Sequence, residues 1–354
     1  MNREQFIKIV NQHEKKIVFL ILFVIILILR LNYDFMEKGD KNYRLYWDHY
    51  YYIMMAKDMS SIFQYKVQAP FCYRILLPFI AWILPLDIET SFYIMNFLGV
   101  YLTGVVLYSV LKLHFNKIIS FIGLIMFCSL HVLEEIFYEI YYVDSMASFF
   151  LMMCFYCILT SRYKLFSLNL VLGVLTKEIV LFTIPVFLIY GLYFNNDTYV
   201  KIEYNRDFYV KFLRILTYIL PALIIFILIR IIVKPAPGDL DNYGKLIILI
   251  FGWRIDKLIN EPIFYYCFIE MWGLILLLFC CFNNKERFIY WLRVYGIFMC
   301  LVYFQTFIAT KIDRLLYIGF YPVIYLSLSG LCQLIRKLGN TELIKKIGKD
   351  YALV

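Results

Sequence analysis

The sequence predicts an all-α, polytopic transmembrane helical bundle of about ten spans, and three observations carry that reading. Of 354 residues, 63% are hydrophobic by the broad count and 20% are aromatic, with a mean hydropathy of +0.73. A soluble fold of this size has too little interior to hide so much apolar surface. The apolar residues fall in repeated runs of roughly 17–25, the length a helix needs to cross a bilayer with its backbone hydrogen bonds satisfied internally. The charges then sort by side. With the N-terminus inside, the cytoplasmic segments, termini included, hold the larger part of the 35 Lys and Arg and the smaller part of the 26 Asp and Glu, as the positive-inside rule expects.

The expected spans run 15–31, 91–112, 118–133, 143–160, 165–176, 179–194, 213–233, 264–282, 288–309 and 315–334. Lys15 and Lys16 precede the first apolar run and no small-residue cleavage site follows it, so it reads as a retained span and not a signal peptide. Residues 32–90 form a long first outer loop. Within it the apolar stretch 71–84, flanked by Pro70 and Pro85, is too short to cross and reads as a re-entrant or interfacial helix. The run 165–194 breaks near Thr176-Lys177-Glu178. The basic residues of 195–212 face inward, where anionic lipid heads suit them better than nucleic acid. Residues 234–263 make a second outer loop, and the tail with Arg336, Lys337, Lys345, Lys346 and Lys349 lies inside. No linker or internal repeat divides the chain, so 1–354 is read as one membrane domain in a cell (inner) membrane, with both termini cytoplasmic. The nine cysteines lie mostly in apolar segments without metal-ligand spacing.

By this topology the residues able to carry chemistry gather at one membrane face. In Trp47-Asp48-His49-Tyr50-Tyr51-Tyr52, Asp48 is placed to act as general base toward a hydroxyl, with His49 as acid–base helper. Arg74, opening an apolar helix, can hold a phosphate by paired hydrogen bonds. Glu134, Glu135 and Glu139 precede Tyr141-Tyr142-Val143-Asp144. Asp144 has a plain role, complementing the positive end of the helix it starts, and a sharper one as second carboxylate for a divalent metal or an acceptor hydroxyl. Glu135 shares that sharper reading, while Glu134 and Glu139 read as solvated. Lys177 is costly in apolar surroundings unless paired or facing water; Glu178 is its expected partner, or orients it toward an anionic phosphate. Arg314, before the last span, either snorkels to lipid phosphates or clamps the phosphate of a substrate.

In this order the motifs resemble those of the GT-C glycosyltransferases, multi-span enzymes that use polyprenyl-phosphate-linked sugars. Asp48 in its Trp-Asp-His-Tyr-Tyr setting looks like the essential acidic residue of that superfamily's long first outer loop. The run Ala69-Pro70-Phe71-Cys72-Tyr73-Arg74 is similar to one in bacterial members. The stretch from Val143-Asp144 through Gly173 to Lys177-Glu178 looks like their Asp, apolar helix, basic turn, Gly-containing helix, Thr-Lys-Glu pattern, and Asp313-Arg314 with Pro322 resembles the basic residue before their last core helices. The resemblance implies an inverting transfer at the extracytoplasmic face, from a polyprenyl-phosphate sugar donor to a glycan, lipid or protein acceptor. In it Asp48 is the base; His49, Glu135 and Asp144 serve the reacting centre; Arg74, Lys177, Glu178 and Arg314 bind substrate. The first loop lacks an Asp-Asp or Asp-x-Asp pair, which leaves a divalent metal open, and a separate soluble C-terminal domain is not expected. Two rival readings remain. A polymerase of lipid-linked oligosaccharides is expected to carry its large arginine-bearing loop later in the chain. A transporter or flippase of lipid-linked glycans needs polar groups at mid-membrane and interrupted helices in related halves, whereas here the ionisable residues collect at one edge.

Overall fold

The computed structural model describes residues 3–36, 49–64, 66–195, 198–199, 206–236, 285–305 and 312–337. Over these the chain is helical, apart from a two-residue antiparallel pairing of Phe194–Asn195 with Thr198–Tyr199. The helices are α1 Arg3–Met36, α2 His49–Lys57, α3 Leu76–Ile83, α4 Ile88–His114, α5 Lys117–Cys128, α6 Val132–Tyr138, α7 Asp144–Leu159, α8 Tyr163–Thr176, α9 Thr183–Tyr193, α10 Arg206–Ile232, α11 Lys285–Gln305, α12 Ile312–Tyr317 and α13 Phe320–Lys337. Among the described residues three helical stretches are long and apolar enough to cross a membrane: Ile88–His114, Phe208–Ile232 and Phe288–Gln305. A fourth results if the bent pair α5 and α6 is counted as one span. Shorter apolar helices accompany them at Asp144–Leu159, Tyr163–Thr176, Glu178–Tyr193 and Phe320–Ile335.

Three expected elements take a different form. The stretch 118–133 is not straight: α5 stops at Cys128, the Ser129 hydroxyl donates to the Met126 carbonyl at 2.9 Å, and α6 leaves at 55°. The run 315–334 divides at Ile318–Gly319 between α12 and α13. Gly319 comes so close to Met299 that a Cβ there would lie 3.1 Å from its Cε. The stretch 71–84 is a 3-10 turn, Phe71–Tyr73, followed by the eight residues of α3. At about 1.5 Å per residue α3 is far shorter than the hydrocarbon thickness of roughly 30 Å. The expected span 264–282 and nearly all of the loop 234–263 lie outside the described residues.

Starts and stops follow local chemistry. Asp87 caps α4 by accepting from the Thr90 amide at 2.8 Å, and Asn116 caps α5 by accepting from Ile119 at 3.0 Å, each satisfying a donor that the first helical turn leaves over. Helix α4 is the post of the bundle: α1, α5 and α7 pack on it, α7 packs on α8, α8 on α10, α9 on α11, and α13 on α5. One apolar core runs through Leu22, Leu107, Phe127, Phe155, Phe166 and Tyr321. Outside it, Leu20, Val24, Ile28 and Leu31 of α1 stay exposed at helical spacing, as do Leu220, Ile224, Ile227 and Ile231 of α10. Stripes of this kind suit lipid and not water.

The two ends of the bundle are distinguishable. At one, Glu14 of α1 accepts from Lys112 at 2.6 Å and Tyr108 at 2.7 Å and pairs with Lys117 at 2.7 Å. At the other, Arg30 of α1 donates to the Phe137 carbonyl and lies over Tyr93 at 4.2 Å. The loop 49–83 is seated at this second end by two satellite cores. One joins Tyr52, Leu77, Phe92 and Tyr141; the other joins Met55, Cys72 and Val233. The beginnings of α4 and α7 and the ends of α8 and α10 therefore share that end with the loop.

Candidate functional site

The centre of this end is Asp144, the first residue of α7 and 2% exposed. Its Oδ1 accepts from Lys177 Nζ at 2.5 Å and its Oδ2 accepts from Arg314 Nη2 at 2.6 Å. A carboxylate at a helix start gains about 0.3–1 kcal/mol from the helix dipole. Losing one member of a buried ion pair costs about 3–5 kcal/mol, so the paired cations, not the dipole, dominate the energetics of this carboxylate. Both oxygens are taken by cations, which is the geometry of a group that orients them. The Arg314 guanidinium also lies over the Tyr142 ring at 3.5 Å, a cation–π contact.

Backbone geometry delivers Lys177. Helix α8 ends at Thr176, Lys177 is extended (φ −162°, ψ 132°), and a 3-10 turn, Glu178–Phe182, leads into α9. In an extended backbone neighbouring side chains point to opposite sides, so Lys177 and Glu178 do not pair with each other. Glu178 turns to Arg74 instead, accepting from Nη2 at 2.6 Å and from Nε at 3.2 Å. This is the two-pronged match of guanidinium to carboxylate. Arg74 Nη1 also donates to the Tyr52 hydroxyl at 3.1 Å. Burial opposes the charge on Arg74, but Glu178 and then Tyr52 more than offset it and hold its pKa well above the ordinary value.

The segment 139–144 ties the first loop to these cations. His49, 1% exposed at the start of α2, places Nδ1 3.6 Å from Glu139 and stacks on Tyr141 with ring centroids 5.9 Å apart. Tyr142 and Asp144 then meet Arg314 and Lys177. Close approach sets the position of the segment. A Cβ on Gly99 of α4 would lie 2.7 Å from the Ser145 carbonyl carbon, and one on Gly173 of α8 would lie 2.6 Å from a Val180 methyl group. Gly99→Ala should therefore push the start of α7 outward, costing about 1–3 kcal/mol of stability. Thermal unfolding of the purified protein checks this, and an unchanged melting temperature would show that the contact yields.

The structure thus brings Asp144, Lys177 and Arg314 into one cluster and Arg74 with Glu178 into a second beside it. His49 sits at the same end, near Glu139, a residue expected to be solvated whose side chain is only 14% exposed. Glu135 lies half-buried in the first turn of α6, and Glu134, half exposed, pairs with His131 at 2.9 Å. Asp48 lies outside the described residues. Sequence reasoning missed the contacts that Tyr52, Glu139 and Tyr142 make here. Among the described residues no group of three or more His, Cys, Asp or Glu is arranged to hold a metal ion. No protein-family model matches the chain, and neither a curated protein nor a solved structure does.

Proposed function

We propose that this protein is an integral membrane glycosyltransferase of GT-C type that moves a sugar from a polyprenyl-phosphate donor to an acceptor at the extracytoplasmic face. The observation that carries the reading is the cluster in which one buried carboxylate, Asp144, holds both Lys177 and Arg314. Cations preorganised in poorly hydrated surroundings stabilise charge that develops on a departing phosphate. Arg74 and Glu178, from segments 104 residues apart, meet at the same end, and the exposed apolar stripes of α1 and α10 support a lipid setting. The reading keeps the ten-span topology with both termini cytoplasmic, which puts this end of the bundle outside.

In the proposed reaction the acceptor hydroxyl oxygen attacks the anomeric carbon and its proton passes to Asp48. The bond from that carbon to the phosphate oxygen breaks, and polyprenyl phosphate departs with the electron pair. Lys177, Arg74 and Arg314 balance the departing charge; His49 and Glu135 position the acceptor. The test is reconstitution of the full chain into liposomes with a panel of radiolabelled polyprenyl-phosphate hexoses and pentoses and cell-envelope acceptors, with magnesium or with chelator. Release of polyprenyl phosphate together with a labelled acceptor is the expected result. Movement of intact lipid-linked sugar across the membrane without cleavage, or no donor consumed by protein shown to be folded, would overturn the assignment.

A further inference from the structure

The geometry points to Arg230 as the residue that receives the phosphate of a lipid-linked substrate where it leaves the bilayer, at the seam between α10 and the segment 67–74. Among the candidate spans α10 is the most apolar and the least covered by the rest of the bundle. Arg230 is the one charged residue between Arg214 and the end of that helix. An arginine in an apolar stretch is costly and marks a functional position by default. It is half-buried and fixed: its guanidinium lies 3.5 Å from the Phe226 ring centroid and 4.6 Å from that of Tyr73, and Nη1 donates to the Phe226 carbonyl at 3.2 Å.

The seam itself is firm. Val233 and Ile229 pack with Val67, Cys72 and Tyr73, and the Ala236 amide donates to the Val67 carbonyl at 3.2 Å. Glu178 lies within electrostatic reach of Arg230 but spends both oxygens on Arg74, while Asp144 is taken by Lys177 and Arg314. Among the described residues no carboxylate hydrogen-bonds Arg230. A guanidinium carries five N–H donors in a fork that matches a phosphate, so donors remain beyond the one engaged by Phe226. From the lipid side, the anionic groups that can reach it are lipid phosphates. A phosphate held there stands next to the Arg74–Glu178 pair, one step from the cluster around Asp144.

This inference rests on the transferase reading for the identity of the lipid, and its test is therefore read as binding. Full-length protein in phosphatidylcholine nanodiscs is titrated with polyprenyl monophosphate, phosphatidylglycerol and inorganic phosphate. The wild type is compared with Arg230→Gln, which keeps the stem, and with Arg230→Lys. Loss of one charge-assisted contact should weaken polyprenyl phosphate binding about tenfold or more in Arg230→Gln, with partial recovery in Arg230→Lys, an unchanged melting temperature and little effect on phosphatidylglycerol. Equal affinity in Arg230→Gln, or an equal Arg230-dependent loss for phosphatidylglycerol, would overturn the proposal, the latter by making Arg230 an ordinary snorkelling arginine. Firm Arg230-dependent binding without sugar transfer would sink the enzyme assignment and leave the phosphate site standing.

Discussion

Asp144→Asn should destabilise the protein by about 3–5 kcal/mol, because it leaves two cations buried where one carboxylate had balanced them. The side chains of Lys177 and Arg314 are 6% and 8% exposed, so water does not take over the role of Asp144. Unfolding in detergent micelles measures the loss. The double variant Asp144→Asn, Lys177→Met removes one orphaned cation and should recover at least about 1 kcal/mol of it, the coupling expected of residues in direct contact. Sugar transfer should not recover with stability, because the proposed reaction assigns Lys177 to the departing phosphate. A single variant as stable as the wild type would show that the pairing contributes nothing to the fold.

Asp48→Asn should behave in the opposite way, with folding intact and transfer lost. General-base help is worth about 10²–10⁴-fold, and Asn is nearly the same size but accepts no proton at neutral pH. Its chain neighbour His49 is buried beside Glu139 and Tyr141, in the segment that runs on to Asp144. Turnover of the Asp48→Asn protein in reconstituted liposomes, alongside its melting temperature, separates the two effects. Wild-type turnover would remove Asp48 from the mechanism and shift attention to Glu139 and His49.

Much of the helical layout was legible because it is local. The expected spans 91–112, 143–160 and 165–176 correspond to α4, α7 and α8 within three residues at each end, since uninterrupted apolar runs mark them directly. The break at Lys177 was legible for the same reason, as a charged pair between apolar runs. Pairings were not. Adjacency in the chain suggests Glu178 as the partner of Lys177, yet each finds its partner across the fold, 33 residues away at Asp144 and 104 residues away at Arg74. No local pattern encodes those contacts; they follow from Gly99 letting α7 onto α4 and Gly173 letting the 3-10 turn onto α8. The 55° bend after Cys128 escaped notice because no proline or glycine marks it.

The shortness of α7 and α8 has a consequence for the surrounding lipid. With 16 and 14 residues they reach about 24 and 21 Å at 1.5 Å per residue, less than the roughly 30 Å of an average hydrocarbon layer. Under the proposed ten-span topology the bilayer would thin locally to meet them, which would draw the headgroup plane toward Lys177 and Asp144. Acyl chain length then becomes a control on this protein: thin bilayers should favour it and thick ones hinder it, which a series of phosphatidylcholines differing only in tail length would reveal.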